Sequence, residues 1–285
     1  MYRIVKREQL NATVVSMEIE APAVAKRARA GQFIILRVDS EGERIPLTVA
    51  GYDRAAGTVR IIFQAVGAST MLLAAKGEGE YIADFVGPLG KPTEVEGVER
   101  VCVIGGGVGC AIALPVVQAL HQNGCFVHAI AGFRNKDLVI LEREFAASSD
   151  ALQIVTDDGS YGQQGNVTAP LKALLERGER FDRVIAIGPL IMMKFVVETV
   201  RPYGIPVVVS MNPIMIDGTG MCGGCRLTVG GVTKFACVDG PEFDGYAVDF
   251  DEAMSRGNMY RDFEAHARDA ACNLLAKGEE KNGKV

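Results

Sequence analysis

The fold is decided by one stretch of the chain, Val101-Cys102-Val103-Ile104-Gly105-Gly106-Gly107-Val108-Gly109. A continuous apolar run leads there into a glycine turn, and a helical pattern follows from about residue 110 to residue 122. Further strand and helix patterns then alternate as far as about residue 210. Strands that alternate with helices in this way predict a parallel α/β sheet.

The chain before this stretch has a different pattern. Short alternating apolar runs, separated by Gly, Asp and Pro, occupy about the first ninety residues and predict a small antiparallel barrel or sandwich. We therefore divide the chain into a β-barrel domain (1–96), an α/β domain (97–210), an irregular, glycine- and cysteine-rich segment (211–250), and a C-terminal helix with a tail (251–285). The last helix is predicted to align Tyr260, Phe263, Ala267, Ala271 and Leu274 on one face, with a polar tail from residue 278.

Composition excludes several classes of protein. The 285 residues are 48% hydrophobic and 23% charged, which is enough apolar material for a folded core. The net charge of −5 and the lack of a long basic run argue against nucleic acid or an anionic membrane as a partner. No apolar run approaches the ~20 residues that span a bilayer, and the N-terminus lacks a signal-peptide pattern. We expect a cytoplasmic chain.

Histidine and cysteine usage narrows the chemistry. Three His and no Trp leave little material for a His-based metal hydrolase or a Ser-His-Asp triad. An odd number of Cys, seven, without an export signal argues against a disulfide framework. Cys222, Cys225 and Cys237 lie within sixteen residues of one another. This cysteine cluster is the feature that most needs an explanation.

The cysteine-rich stretch reads Asp217-Gly218-Thr219-Gly220-Met221-Cys222-Gly223-Gly224-Cys225, with Cys237 further on. A plant-type [2Fe–2S] loop has the spacing C-x4-C-x2-C with a distant fourth Cys, and its first position falls here on Asp217. A carboxylate can bind iron, although it is a harder ligand than a thiolate. A zinc site would need a fourth ligand, and no His lies nearby. Spacing alone leaves [2Fe–2S], zinc and buried inert cysteines open.

Three other stretches are candidate binding sites, each with a simpler structural alternative. The glycine turn at 105–109 opens a helix whose N-terminus suits a phosphate, although a plain strand–helix turn would look the same. In Arg44-Ile45-Pro46-Leu47-Thr48, predicted to lie between strands, Arg44 is either a pyrophosphate ligand or a solvated surface residue, and Thr48 a flavin contact. Ser69 and Thr70 either bind phosphate or cap the helix that follows them.

Taken in order, these motifs resemble the ferredoxin–NADP reductase superfamily. The cysteine-rich loop narrows the resemblance to the branch that contains the electron-transfer subunit of dihydroorotate dehydrogenase. Residues 156–162, 187–193, 215–226 and 235–245 are similar to one group in that branch, the small (alpha) subunits of NADH-dependent ferredoxin:NADP oxidoreductases, also described as sulfide dehydrogenase small subunits. The resemblance extends from about residue 3 to residue 256.

The resemblance implies an antiparallel FAD-binding β-barrel, a parallel-sheet NAD(P)-binding α/β domain and a C-terminal iron–sulfur loop. The implied FAD contacts are Arg44, Pro46, Leu47, Thr48, Gly67, Ser69 and Thr70. The implied NAD(H) contacts are Gly105, Gly106, Gly107, Gly109, Arg134, Asp157, Asp158, Gly188 and Pro189. The implied [2Fe–2S] ligands are Asp217, Cys222, Cys225 and Cys237. The dihydroorotate dehydrogenase subunit has Cys at the first ligand position, so Asp217 marks the other group.

The implied role is electron transfer between NAD(H), FAD and the [2Fe–2S] cluster, to or from a larger flavoprotein subunit in an electron-bifurcating heterodimer. That partner would resemble the glutamate synthase small subunit, and ferredoxin would be reached through it. The alternatives are a dihydroorotate dehydrogenase electron-transfer subunit, a single-chain NAD(P)H:acceptor flavin reductase with structural zinc, and an assembly subunit without cofactors. The sequence leaves NAD against NADP open, because Arg134 could meet a 2′-phosphate.

Overall fold

The computed structural model describes residues 1–282, with side chains as far as residue 273. The N-terminal part forms an antiparallel sheet in the order β6-β1-β2-β5-β4-β3-β7. Its elements are β1 (Tyr2–Gln9), β2 (Val14–Glu20), α1 (Pro22–Ala25), β3 (Phe33–Arg37), β4 (Arg44–Asp53), β5 (Thr58–Gln64), α2 (Ala68–Ala74), β6 (Tyr81–Ile82) and β7 (Asp84–Leu89).

This sheet curls around a core to which its strands all contribute, which confirms the predicted barrel. Strand β3 shows how the sequence achieves this, because successive side chains of a strand point to opposite faces. Ile34 and Leu36 lie inside the barrel core. Phe33 and Ile35 point outward and belong to a second core shared with the rest of the chain. The barrel wall at β3 is therefore buried on both faces.

The predicted position of residues 44–48 between strands is wrong, since these residues begin β4. Pro46 carries no N–H and so argues against a central strand. In the structure Pro46 lies opposite Ile35 of β3, whereas β4 pairs with β5 only from Val49 onward. Residue 46 thus lies in a part of β4 that has β3 alone as its neighbour, where a proline is tolerated.

The next part of the chain forms a parallel sheet, as predicted, in the order β11-β10-β9-β8-β12-β13-β16. Its strands and the helices between them are β8 (Arg100–Gly106), α3 (Gly109–Gln122), β9 (Phe126–Phe133), α4 (Glu142–Ser148), β10 (Ala151–Thr156), β11 (Gln163–Gln164), α5 (Thr168–Glu176), β12 (Arg183–Ile187), α6 (Leu190–Val200) and β13 (Val207–Ser210). The strand order reverses direction between β8 and β12, and ligands of doubly wound sheets bind at such a reversal.

The region from 211 onward is more ordered than the sequence predicts. It contains β14 (Arg226–Val229), β15 (Val232–Phe235), α7 (Ala236–Asp239), β16 (Glu242–Asp244), α8 (Phe250–Gly257) and α9 (Arg261–Asn282). These strands are short and contain few apolar residues, so their pattern is weak; β14 and β15 pair with each other and β16 pairs antiparallel with β13. Leu227, Cys225 and Cys237 share one core with Phe33 and Ile35 of the barrel. The segment is therefore packed between the two sheets.

Helix α9 packs against α2 of the barrel, but it does so over part of its length and not along the whole apolar face predicted for it. Ala271 is buried, and the Cys272 sulfur lies 4.0 Å from the Met71 sulfur. Phe263, predicted for the same face, is 76% exposed, because α9 reaches α2 only further along its length. The tail predicted from residue 278 is wrong as far as residue 282, because α9 continues to Asn282, and the Leu274 side chain and residues 283–285 lie outside the described residues. Within the described part of the chain, no helix is both long and apolar enough to cross a bilayer.

Candidate cofactor sites

The predicted nucleotide turn lies at the reversal of strand order, in backbone contact with the turn after β12. A Cβ on Gly109 would lie 2.6 Å from the Ile187 carbonyl oxygen and 2.8 Å from the Gly188 Cα. A Cβ on Gly106 would lie 3.3 Å from Pro189 Cδ. Gly107 has φ +58° and open space around it. The structure thus brings the predicted residues 105–109 together with Gly188 and Pro189, at the start of α3.

The other predicted nucleotide contacts lie at the ends of β9 and β10. Phe133 and Thr156 are opposite each other in the sheet, so the residues that follow them are neighbours. The Asp158 amide donates to the Arg134 carbonyl oxygen at 3.3 Å, and both side chains are exposed. The Ser160 hydroxyl and amide hydrogen-bond the Asp158 carboxylate and lower its pKa. Residues 134 and 158 are therefore neighbours at the carboxyl edge of the parallel sheet, where ligands of doubly wound sheets bind.

The two barrel stretches predicted to hold flavin are adjacent in the structure. The Ser69 hydroxyl donates to Glu43 Oε2 at 3.2 Å, which ties the start of α2 to the residue beside Arg44. The Thr70 hydroxyl accepts from the Gly67 amide and donates to its carbonyl oxygen, both at 3.0 Å. Thr70 therefore holds the turn at the start of α2, as a helix-capping residue would. The Arg44 side chain is exposed.

The cluster loop, defined here as residues 217–225, is organised by its first residue. Asp217 Oδ1 accepts from the Thr219 amide at 2.9 Å, and Oδ2 accepts from the Cys222 amide at 2.8 Å. These hydrogen bonds, that of Thr219 first, lower the pKa of Asp217, and the Cys222 thiol also contributes. Gly218, Gly220 and Gly223 have φ values of +75°, +83° and +68°, which favour glycine. The loop thus places the Asp217 carboxylate beside Cys222.

The cluster loop also contacts the flavin barrel directly. A Cβ on Gly218 would lie 2.7 Å from Leu89 Cδ1 and 3.0 Å from Ile35 Cδ1. Leu89 lies opposite Phe33, which lies opposite Thr48 on its other side. Sequence reasoning missed Leu89 and Ile35, although an apolar run on β3 long enough to be buried on both faces was the available indication. The loop therefore lies against β3 and β7, and β3 is the direct neighbour of β4, which carries the predicted flavin contacts at 44–48.

Cys225 and Cys237 form a buried pair of free thiols. Their sulfurs are 3.2 Å apart, and each residue is 1% exposed. Burial, and then the neighbouring Cys225 thiol, raise the pKa of Cys237 to about 12. A tetrahedral metal with metal–sulfur bonds of about 2.3 Å holds two thiolates about 3.8 Å apart. The two sulfurs would therefore have to move only slightly further apart to bind one ion between them. Binding would replace the thiol proton by the metal.

The donor groups fit a binuclear cluster better than a single ion. Among the side chains that the structure describes, those of residues 1–273, no three of His, Cys, Asp or Glu converge closely enough to hold one metal ion. The structure instead presents two pairs, Asp217 with Cys222 and Cys225 with Cys237. A structural zinc takes its four ligands on one ion, whereas the protein ligands of a [2Fe–2S] cluster are divided between two irons. Two pairs of donors match the second arrangement.

Comparison with known proteins gives a consistent result. Residues 212–249 match the protein family described as the iron-sulfur cluster binding domain of dihydroorotate dehydrogenase B. A Thermotoga maritima protein, named as a homologue of the dihydroorotate dehydrogenase B (NAD(+)) electron transfer subunit, is 48% identical over 261 residues, 92% of each chain. The electron transfer subunit of that enzyme from Streptococcus pneumoniae is 32% identical over 253 residues, 85% of this chain and 94% of the relative.

A solved structure is similar over nearly the whole chain. It belongs to an NADH-dependent reduced ferredoxin-NADP oxidoreductase described in the context of flavin-based electron bifurcation. The two chains superpose with a TM-score of 0.90 and 44% sequence identity, over 95% of this chain and 97% of the other. The similarity therefore includes the barrel, the parallel sheet and the cluster loop together.

Proposed function

Since the chain belongs to the family of dihydroorotate dehydrogenase B electron transfer subunits, we propose that it transfers electrons between NAD(H), FAD and a [2Fe–2S] cluster. Its role is that of the smaller subunit in an electron-bifurcating NADH-dependent ferredoxin:NADP oxidoreductase. The observation that carries this assignment is the cluster loop, with its two pairs of donor groups lying against the flavin barrel. The similarity to the solved oxidoreductase chain supports it.

Asp217 separates this role from that of a dihydroorotate dehydrogenase subunit. Those subunits are expected to carry Cys at the first ligand position, whereas this chain has a carboxylate hydrogen-bonded across the loop to Cys222. Identity is 44% to the bifurcating oxidoreductase chain, 32% to the Streptococcus pneumoniae dihydroorotate dehydrogenase subunit and 48% to the Thermotoga maritima protein named as a homologue of such subunits, so the distinction rests on Asp217. The dihydroorotate dehydrogenase role is therefore the second candidate.

The chain's residues hold and separate the cofactors. When bound, FAD would supply hydride exchange with NAD(H) and one-electron transfer to an iron–sulfur cluster, and this chemistry belongs to the cofactors. Arg44 supplies an exposed charge for the flavin pyrophosphate, and Thr48 and Leu47 lie on the same strand. The turns at 105–109 and 188–189 cradle the NAD(H) phosphates, with Arg134, Asp157 and Asp158 toward the ribose. Asp217, Cys222, Cys225 and Cys237 ligate the cluster.

The partner is a larger subunit, and we propose that it is a flavoprotein resembling the glutamate synthase small subunit. Exposed apolar side chains on and beside the cluster loop support a docking surface there: Met221 is 88% exposed, Ile216 49% and Val238 40%. Exposed apolar residues that cluster beside a functional site are typical of protein interfaces. Ferredoxin is reached through the larger subunit, and the complex is cytoplasmic.

Cofactor content of the anaerobically purified chain tests this function. We expect about one FAD and, as a [2Fe–2S] cluster requires, about two irons with two acid-labile sulfides per chain. One zinc with flavin would favour the single-chain reductase, and a colourless protein would favour an assembly subunit. Affinity purification from the native organism, followed by identification of the co-purifying chain, tests the partner. A dihydroorotate dehydrogenase catalytic subunit in that position would favour the second candidate.

A further inference from the structure

A side-chain contact joins the connector after the barrel (residues 91–99) to β16, which lies in the glycine- and cysteine-rich segment 211–250, called the cluster segment below. The Thr93 hydroxyl donates to Glu242 Oε1 at 2.5 Å, and Thr93 is only 8% exposed. The Thr93 amide also donates to the Ala30 carbonyl oxygen of the barrel, at 2.9 Å. Thr93 therefore hydrogen-bonds the barrel through its backbone and the cluster segment through its side chain.

Close backbone contacts lie around the Thr93–Glu242 hydrogen bond, which we call the joint. The Lys91 amide donates to the Gly240 carbonyl oxygen at 2.7 Å, three residues after Cys237. Gly31 of the barrel has φ +83°, and a Cβ there would lie 2.8 Å from the Thr93 amide nitrogen and 3.1 Å from Glu242 Oε1. Three separate segments thus meet at a point where even a methyl group does not fit.

Because Glu242 is a carboxyl group, its contact with Thr93 is sensitive to loss of the Thr93 hydroxyl. Burial raises the pKa of Glu242, while the Thr93 hydroxyl and the Arg183 guanidinium lower it and Glu94 raises it further. A partly buried carboxyl that loses its hydrogen-bond donor is left unsatisfied, which destabilises the folded arrangement around it. Removal of the Thr93 hydroxyl would therefore loosen the attachment of β16 rather than leave it unchanged.

The cluster segment is attached to the barrel at both ends. Its first end is the close contact of Gly218 with Leu89 and Ile35, and its second end is Glu242, five residues beyond Cys237. We propose that the Thr93–Glu242 contact is a positioning element that sets the separation between the cluster loop and the flavin barrel, and so the rate of electron transfer between them. This inference rests on the proposed function.

The test compares variants of the purified holoprotein that remove or retain the contact. Thr93→Val removes the hydroxyl at nearly constant shape, and Gly31→Ala inserts a methyl group between Thr93 and Glu242. Thr93→Ser keeps the hydroxyl donor, and Glu242→Gln keeps an acceptor oxygen. These two conservative variants should retain the hydrogen bond and serve as the rescue variants. Gly97→Ala, in the same connector with φ +70° and nothing within 4 Å, is the matched control for Gly31→Ala.

Anaerobic stopped-flow mixing with NADH follows flavin and cluster bleaching separately. In Thr93→Val and Gly31→Ala we expect cluster reduction to slow about tenfold, because a misplacement of about 1 Å can cost about a hundredfold in rate and a smaller displacement is expected here. Flavin bleaching and the cluster midpoint potential should stay at wild-type values. Hydrogen exchange at the amides of 217–225 should rise in the same two variants, and the rescues and Gly97→Ala should match the wild type.

Two results would overturn the proposal. One is wild-type cluster reduction and wild-type exchange in a Thr93→Val protein that holds both cofactors. The other is failure of both joint variants to fold while Gly97→Ala folds, because the contact would then serve general stability. Failure of the proposed function looks different: the wild type itself would lack iron or flavin. In that case hydrogen exchange in Thr93→Val still tests whether Glu242 restrains the cluster loop.

Discussion

The nucleotide turn at 105–109 and the cluster loop at 217–225 are both rich in glycine, but the glycines serve different contacts. Gly109 is pressed against backbone atoms of its own sheet, the Ile187 carbonyl oxygen and the Gly188 Cα. Gly218 is pressed against side-chain methyl groups of another domain, on Leu89 and Ile35. The turn is therefore set by regular secondary structure, whereas the loop is set by docking onto the barrel.

This difference has a mechanical consequence. Backbone atoms in a sheet cannot move without breaking hydrogen bonds, whereas terminal methyl groups can rotate away. Each region also contains a glycine in left-handed conformation with open space around it, Gly107 in the turn and Gly223 in the loop. These two positions are internal controls for the cost of backbone conformation alone.

The largest effect is expected for Gly109→Ala. Its methyl group would meet two backbone atoms that cannot yield, so we expect a loss of about 3 kcal/mol in the free energy of unfolding, at the upper end for overpacked sites. Gly107→Ala changes only the conformational term and should cost about 1–2 kcal/mol. Urea unfolding measures both. Equal losses would show that packing against β12 does not define the turn.

A smaller effect is expected for Gly218→Ala, since Leu89 and Ile35 can adjust. Both Gly218→Ala and Gly223→Ala pay for a positive φ, so their difference isolates contact with the barrel. We expect Gly218→Ala to lose about 1 kcal/mol more, at the lower end for overpacking. The Gly218→Ala protein should keep its iron, but its cluster should be reduced more slowly by NADH than that of the wild type. If the two variants behave alike in unfolding and in stopped-flow, the loop does not dock on Leu89.

Asp217→Cys tests the chemistry of the loop at nearly constant packing. The variant should keep the cluster, because the spacing becomes that of a four-cysteine site. A thiolate donates more electron density than a carboxylate of equal charge, so the midpoint potential should fall. A redox titration followed by EPR measures it. An unchanged potential would mean that Asp217 is not a ligand.

The smallest effect concerns pH and the far end of the cluster segment. Because burial raises the folded-state pKa of Glu242, the folded protein binds this proton more tightly than the unfolded chain. The stability contributed is complete below the unfolded pKa of about 4.3 and is lost as pH rises through the raised folded-state pKa.

Urea unfolding of the wild type and Glu242→Gln over a pH series measures this contribution. The stability difference, wild type minus variant, should decline as pH rises from about 4.3, the unfolded pKa of a glutamate. The nucleotide turn lacks an equivalent buried carboxyl among its predicted residues, and Gly107→Ala should leave the pH profile parallel to that of the wild type. A difference that is flat or that increases with pH would contradict the assigned direction.

The sequence was sufficient for features that depend on local pattern. The alternation of strand and helix predicted the parallel sheet, and the glycine run at 105–109 predicted the turn at the start of α3. Features that depend on distant segments were missed. The start of β4 was missed because a proline at residue 46 is compatible with a strand only where β5 does not pair, and the sequence does not show where that pairing begins. The contacts of Gly218 with Leu89 and of Thr93 with Glu242 join residues more than a hundred positions apart, and no local pattern encodes them.

The most direct test of the central claim is an anaerobic titration of the purified chain with NADH, followed by visible absorbance and low-temperature EPR. We predict that NADH bleaches the flavin and that a reduced [2Fe–2S] signal then grows until about one electron per cluster has been taken up. Bleaching of the flavin without any cluster signal, in a protein that contains iron, would contradict electron transfer from the barrel to the cluster loop.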